Sequence, residues 1–195
     1  GTLDLSGVAL TEFNVAAIKI TANEIKLAET LASVNLEIIG ELSLYGALLV
    51  NGKLTIGEYG TNLFNNLLDA TVVAGEIDIA AGLIAGGSYT AMTGNAEFEA
   101  GQIADASIKT AAGGDVVLRG GNLYSVVVGS TGAIDARGLT GNVVGGEYIA
   151  TDAITFNGAN LIANAAFDAG SIDFTVSKIE VVDIKATNDA ILNAS

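Results

Sequence analysis

A short apolar–x–apolar triplet recurs along the whole chain. It reads Leu3-Asp4-Leu5, Ile18-Lys19-Ile20, Leu36-Glu37-Ile38, Leu54-Thr55-Ile56 and Ile77-Asp78-Ile79. It continues as Ala96-Glu97-Phe98, Val116-Val117-Leu118, Ile134-Asp135-Ala136, Ile154-Thr155-Phe156 and Ile172-Asp173-Phe174, and fades at Ile191-Leu192. The spacing averages about 19 residues, with the longest interval between Leu54 and Ile77. Alternation in an extended chain turns the two outer residues of each triplet inward and the middle one to solvent. Two more apolar patches fall between successive triplets: Ile25/Leu27 with Leu31/Val34, then Leu42/Leu44 with Leu48/Val50. Later come Ile103 and Ile108, Leu123 and Val128, Leu161 and Phe167, and Ile179 and Ile184.

Three strands and three bends per repeat predict an all-β chain, residues 1–195 in a single domain. The architecture expected is a parallel β-solenoid, right-handed and three-sided, with about 10–11 coils of about 19 residues. Coils about 4.8 Å apart would make a rod roughly 48 Å long. Glycine keeps the same register. Two residues before the later triplets stand Gly52, Gly75, Gly94, Gly114, Gly132, Asp152, Gly170 and Asp189, and four residues after a triplet's first residue come Gly7, Gly40, Gly120, Gly138 and Gly158. These positions are read as corners, with Gly114 and Gly132 expected at φ > 0. A sandwich or antiparallel barrel also has frequent turns, but nothing makes it keep phase over the whole chain.

Composition sharpens this picture. Half of the residues are apolar but only 6% are aromatic, so the core is aliphatic; there are 25 Gly and no Pro, Cys, His or Trp. A continuous strand ladder disfavours Pro, which has no N–H to give. The absence of Cys excludes disulfides and thiolate metal sites, and the absence of His removes the commonest general base. A net charge of −14 opposes binding to nucleic acid or anionic membranes. The longest uncharged stretch, Ile79 to Ala96, is broken by Gly82, Gly86, Gly87 and Gly94 and is unsuited to lipid. The chain starts Gly-Thr-Leu, which suits a processed exported protein or an excised piece of a longer one, and the composition favours export.

The loose aliphatic repeats with Gly or Asn corners resemble those of β-helical bacterial surface proteins of the filamentous-haemagglutinin type, over essentially the whole chain. Bactofilin scaffolds are similar in size and β-helical build and rank second. The resemblance implies a structural or adhesive role outside the cell.

Several local features carry candidate chemistry. Gly46 to Lys53, GALLVNGK, has the outline of a phosphate loop, but its glycines are too far apart and Leu54 stands where Ser or Thr must hold magnesium. The middle triplet residues form an expected outward acidic row of Asp4, Glu37, Asp78, Glu97, Asp135 and Asp173. Calcium could bridge Asp78 and Glu97, although such rows are usually solvated faces that discourage lateral association. Glu99, Arg119 and Arg137 occupy one face of consecutive coils. They are either a small basic site for a carboxylate or sulfate, or a charge ladder in which Glu99 and Asp135 neutralise the arginines. The long coil carries Tyr59 to Asp69, expected as a loop or short helical turn. Asn193-Ala-Ser195 is a formal glycosylation sequon. None of these features is assigned as a catalytic, cofactor or metal site. The reading is a non-enzymatic subunit of an extracellular or cell-surface filament, sheath or layer, polymerising head to tail with itself. The alternatives are the shaft or glycan-binding module of a larger adhesin, and a bactofilin-like scaffold.

Overall fold

The computed structural model describes residues 2–4, 9–10, 17–32, 34–57 and 66–195. They form a parallel β-solenoid of about 8 turns with coils of about 19 residues and no helix. Every strand pairing is parallel and joins one coil to the next, so the pairings sort into three ladders, one per face.

The first face is built from the triplets. Leu54, Ile77, Ala96, Val116, Ile134, Ile154, Ile172 and Ala190 follow one another in register. Ile18 pairs with Leu36, and the Gly57 N–H donates to the Ile38 carbonyl at 2.9 Å to join the next coil. The second face stacks Leu67, Ile84, Ile103, Leu123, Val143, Ile162 and Ile179. The third stacks Leu48, Val72, Tyr89, Ile108, Val128, Tyr148, Phe167 and Ile184. The side-chain period of two is what selects these residues: the core is their inward set, with Ile38, Ile56, Ile79 and Phe98 all at 0% exposure.

Three readings of phase are corrected. Leu3 pairs with Ile25 and Asp4 with Lys26, so this part of the first triplet lies on the second face and is not the first rung of the first, while Leu5 lies outside the described residues. In the last coil Ala190 and Leu192 sit over Ile172 and Phe174, which turns Ile191 outward over Asp173. On the second face the inward residue is Ile162, fully buried over Val143, while Leu161 is its half-buried outward neighbour.

The corners differ from one another, and the glycine reading is corrected in part. Gly40, Gly120 and Gly158 do have positive φ (141°, 101° and 103°), whereas Gly114, Gly132 and Gly138 do not. Gly114 and Gly132 are required because coils approach closely there: a Cβ on Gly114 would collide with the Gly94 carbonyl, and one on Gly132 would lie 3.0 Å from the Gly114 carbonyl oxygen. Beside them Thr110 and Ser130 are buried, and their hydroxyls donate to the Gly114 carbonyl at 2.7 and 2.9 Å.

The corner between the second and third faces is a column of left-handed residues: Asp69, Gly86, Asp105, Ser125, Gly145, Asn164 and Val181, with φ between 46° and 71°. Gly, Asn and Asp visit this region readily; a β-branched residue there is an outlier. Val181 is 81% exposed, so its side chain gains little packing in return. Val181→Asn should stabilise the protein by about 1 kcal/mol. Equilibrium denaturant melts check this, and an unchanged or lower midpoint would show that the corner tolerates valine.

Candidate functional site

The outward row of the first face is laced by ion pairs between neighbouring coils. Lys19 Nζ lies 2.8 Å from Glu37, Lys53 Nζ 2.9 Å from Asp78, and an Arg119 guanidinium nitrogen 3.3 Å from Glu97. Lys19 and Glu37 are directly opposed in register, while Lys53 and Arg119 reach diagonally to Asp78 and Glu97. Opposite charges at both spacings attract, which relieves the repulsion a bare acidic row would suffer. The hydrogen bond to Asp78 holds the Lys53 ammonium above its ordinary pKa, against partial burial, which pulls it down. Asp78 and Glu97, the residues considered for calcium, are thus each paired with a cation of the chain itself. Among the described residues no group of three or more acids gathers. Asp4 leaves this row, since it stands opposite Lys26 on the second face.

The two arginines are held by neighbouring acids. Arg137 donates from Nε to Asp135 at 2.9 Å and from a terminal nitrogen at 2.5 Å, a two-point contact within one coil. That guanidinium holds the Asp135 carboxyl below the usual carboxylate range, while desolvation works in the other direction. Arg119 stands opposite Glu99 in register, but its ion pair runs to Glu97. A register shift after Val117 places Gly138 over Arg119, so the two arginines do not stack as a basic pair. The charge-ladder reading is corrected in part: Asp135 does neutralise an arginine, but within its own coil, and Glu97 takes the place expected of Glu99.

Side-chain carbonyls clip the coils together at their corners. The Lys53 N–H donates to Asn35 Oδ1 at 2.8 Å, Asp115 N–H to Asn95 Oδ1 at 3.0 Å, Ala133 N–H to Asp115 Oδ1 at 2.7 Å, and Asn142 N–H to Asn122 Oδ1 at 2.9 Å. Each clip satisfies a backbone donor that the bend takes out of the strand ladder. The GALLVNGK segment lies within the strand Asn35–Ile56, a ladder element and not a phosphate loop. Of the expected insertion, residues 59–65 lie outside the described residues. Asn66–Leu68 is a second-face strand pairing with 83–85 and Asp69 is its left-handed corner, so this part is neither loop nor helix.

Open grooves lie at the corner between the second and third faces, about 450 Å³ beside Asn164, Val181 and Val182, and at the corner between the third and first faces. At the latter corner one, about 450 Å³, is lined by Leu49, Val73, Met92 and adjoining residues; another, about 360 Å³, includes Asn35, Lys53, Glu76 and Thr93. Inside the prism, the Tyr89 and Tyr148 hydroxyls are buried without a hydrogen-bond partner, and burial pushes both phenols well above their ordinary pKa.

The strand Ala190–Ala194 is exposed throughout. It pairs with Ser171–Val176 on one side, and Ile191 is exposed to 52% and Leu192 to 46%. Ile172 N–H donates to the Asp189 carbonyl, and Ser195 N–H donates to the Val176 carbonyl. In a parallel pair such groups alternate along the strand, so odd-numbered residues face the coil below. Leu192 therefore turns its N–H and C=O to the open edge. Comparison with protein-family models, with curated proteins and with solved structures returns no match.

Proposed function

We propose that the protein is a non-catalytic structural subunit that assembles end to end, by continuation of its strand ladders, into a filament, sheath or layer outside the cell or on its surface. The observation that carries this reading is the in-register parallel ladder, which the strands of another copy can continue past Ala190–Ala194 wherever no further coil of the same chain does so. The upward backbone groups of that strand edge meet no residue described here, and its apolar side chains are exposed over a core of Ile172, Phe174 and Val176. Such an edge is a template for another strand. A second copy brings strands of the same parallel kind, and a head-to-tail contact of this type does not close on itself, so it yields a fibre. The location outside the cell rests on the composition and on the resemblance of the repeats to β-helical surface proteins.

The test is assembly in solution. Light scattering and negative-stain microscopy of the concentrated protein should show filaments. The informative variant is Leu192→Pro, which removes an N–H from the open edge, whereas proline at Ile191 would break a bond to the coil below. Leu192→Pro should raise the concentration needed for assembly at least tenfold and leave the interior coils folded. Single rods at every concentration, or a variant that assembles as readily as the parent, would overturn the proposal and favour a shaft element within a longer chain.

A further inference from the structure

The three faces differ sharply in outward charge. The first carries Lys19, Glu37, Asp78, Glu97, Asp135 and Asp173, and the third carries Lys109, Glu147, Asp168, Asp183 and Lys185. The second face carries none over six consecutive coils. Its outward positions are Asn66 and Leu68, Leu83 and Ala85, Gln102 and Ala104, Asn122 and Tyr124, Asn142 and Val144, and Leu161, with Ala163 in the last outward place but buried. Gln102, Asn122 and Asn142 follow one another in three consecutive coils, and the Asn122 side-chain carbonyl accepts from the Asn142 backbone N–H, so amides stack over the middle of the strip. One border is flush because Gly101, Gly121 and Gly141 stack there: a Cβ on Gly121 would collide with the Gly101 carbonyl.

We infer that this second-face strip is a lateral contact surface for a second copy of the chain. Three observations select that occupant. First, two copies of a chain with net charge −14 repel one another, and this strip, uncharged on its face and bordered by Asp69 and Asp105 at one corner, is where they can touch while burying the fewest charges. Second, primary amides offer donors and acceptors together, so a ladder of Gln and Asn complements itself across a two-fold axis. Third, a second copy has the same coil spacing, so rung can meet rung along the whole strip, as between paired sheets. The strip is about 24 Å long and offers on the order of 400 Å² per copy, about half of what a standard stable interface supplies. A single pair is therefore short-lived, and many strips in line would hold two filaments side by side.

Disulfide trapping suits a short-lived contact, and the chain has no native cysteine. Single variants Ala85→Cys, Ala104→Cys and Val144→Cys probe the strip, with Thr155→Cys on the first face and Thr90→Cys on the third as controls. Under mild oxidation at least one strip cysteine should form disulfide-linked dimers at least tenfold faster than both controls. Adding Gln102→Glu and Asn122→Asp, which keep size and place charge on the strip, should return that rate to the control level. Strip cysteines no faster than the controls, or a rate untouched by the added charges, would overturn the inference. The trap reads contacts between individual copies, so its answer is separable from end-to-end assembly. Circular dichroism of each variant confirms that the coils remain folded.

Discussion

Phe156→Ala is expected to cost about 3–5 kcal/mol, the range for removing a fully buried aromatic ring from a close-packed core. Phe156 lies at the centre of the C-terminal aromatic cluster, at 0% exposure. Its ring meets Tyr148 and Phe167 edge-on at centroid distances of 5.8 Å and Phe174 at 5.4 Å. Phe174 belongs to the next coil of the same face, while Tyr148 and Phe167 project from successive coils of the third. One truncation thus removes contacts within a coil and across the boundary to the next. In a solenoid, where each coil contacts only its neighbours, the loss at a boundary weakens cohesion on both sides. Thr155→Ala, one residue away on the outward side, should cost under about 0.5 kcal/mol. Denaturant melts of the two variants give the comparison, and similar losses would mean that the in–out alternation assigned to this strand is wrong.

That alternation was the part of the fold most legible in the sequence, because inward residues of a stacked coil must be apolar at every turn. The interior triplets from Leu36 to Phe174 keep their assigned places. Phase failed at the two ends for one physical reason. Apolar–x–apolar runs occur on all three faces, and only the coils above and below tell the faces apart. Leu3-Asp4 is compared with the following run alone, and spacing by itself sets it on the wrong face. At the other end Ala190-Ile191-Leu192 is apolar throughout, and the largest side chain drew the reading to Ile191 although register gives the inward place to Ala190. The left-handed column escaped notice because its signal is shared among Asp, Ser, Gly, Asn and one Val. The charge ladder was visible in kind, but the shift after Val117 that separates the arginines is a backbone irregularity with no marker in residue type. The uncharged second face was in the sequence as well; it becomes apparent only once each strand is placed on its face.

The glycine pair Gly113-Gly114 separates two reasons for a glycine at a corner, backbone conformation and close approach of coils, and the second large effect follows from it. Gly113 has φ of 69°, is exposed, and a Cβ built on it meets nothing within 4 Å. Asn adopts that conformation at little cost, and the Gly113 N–H that donates to Thr131 Oγ1 at 2.8 Å is kept. Gly113→Asn should therefore change stability by less than about 0.5 kcal/mol. Gly114 is its opposite: buried, outside the positive-φ region, with the space for a Cβ already filled by the Gly94 carbonyl of the coil below. The obstacle is backbone, which no rotamer change can move aside. Its own carbonyl also accepts from Thr110, Ser130 and the Gly132 N–H, so shifting it to relieve the collision would loosen three hydrogen bonds at once. Gly114→Ala should cost about 3 kcal/mol, at the upper end for overpacking a close-packed interior. Melts of both variants test the assignment. If Gly113→Asn proves the more damaging of the two, this corner depends on backbone conformation and not on the approach of the coils.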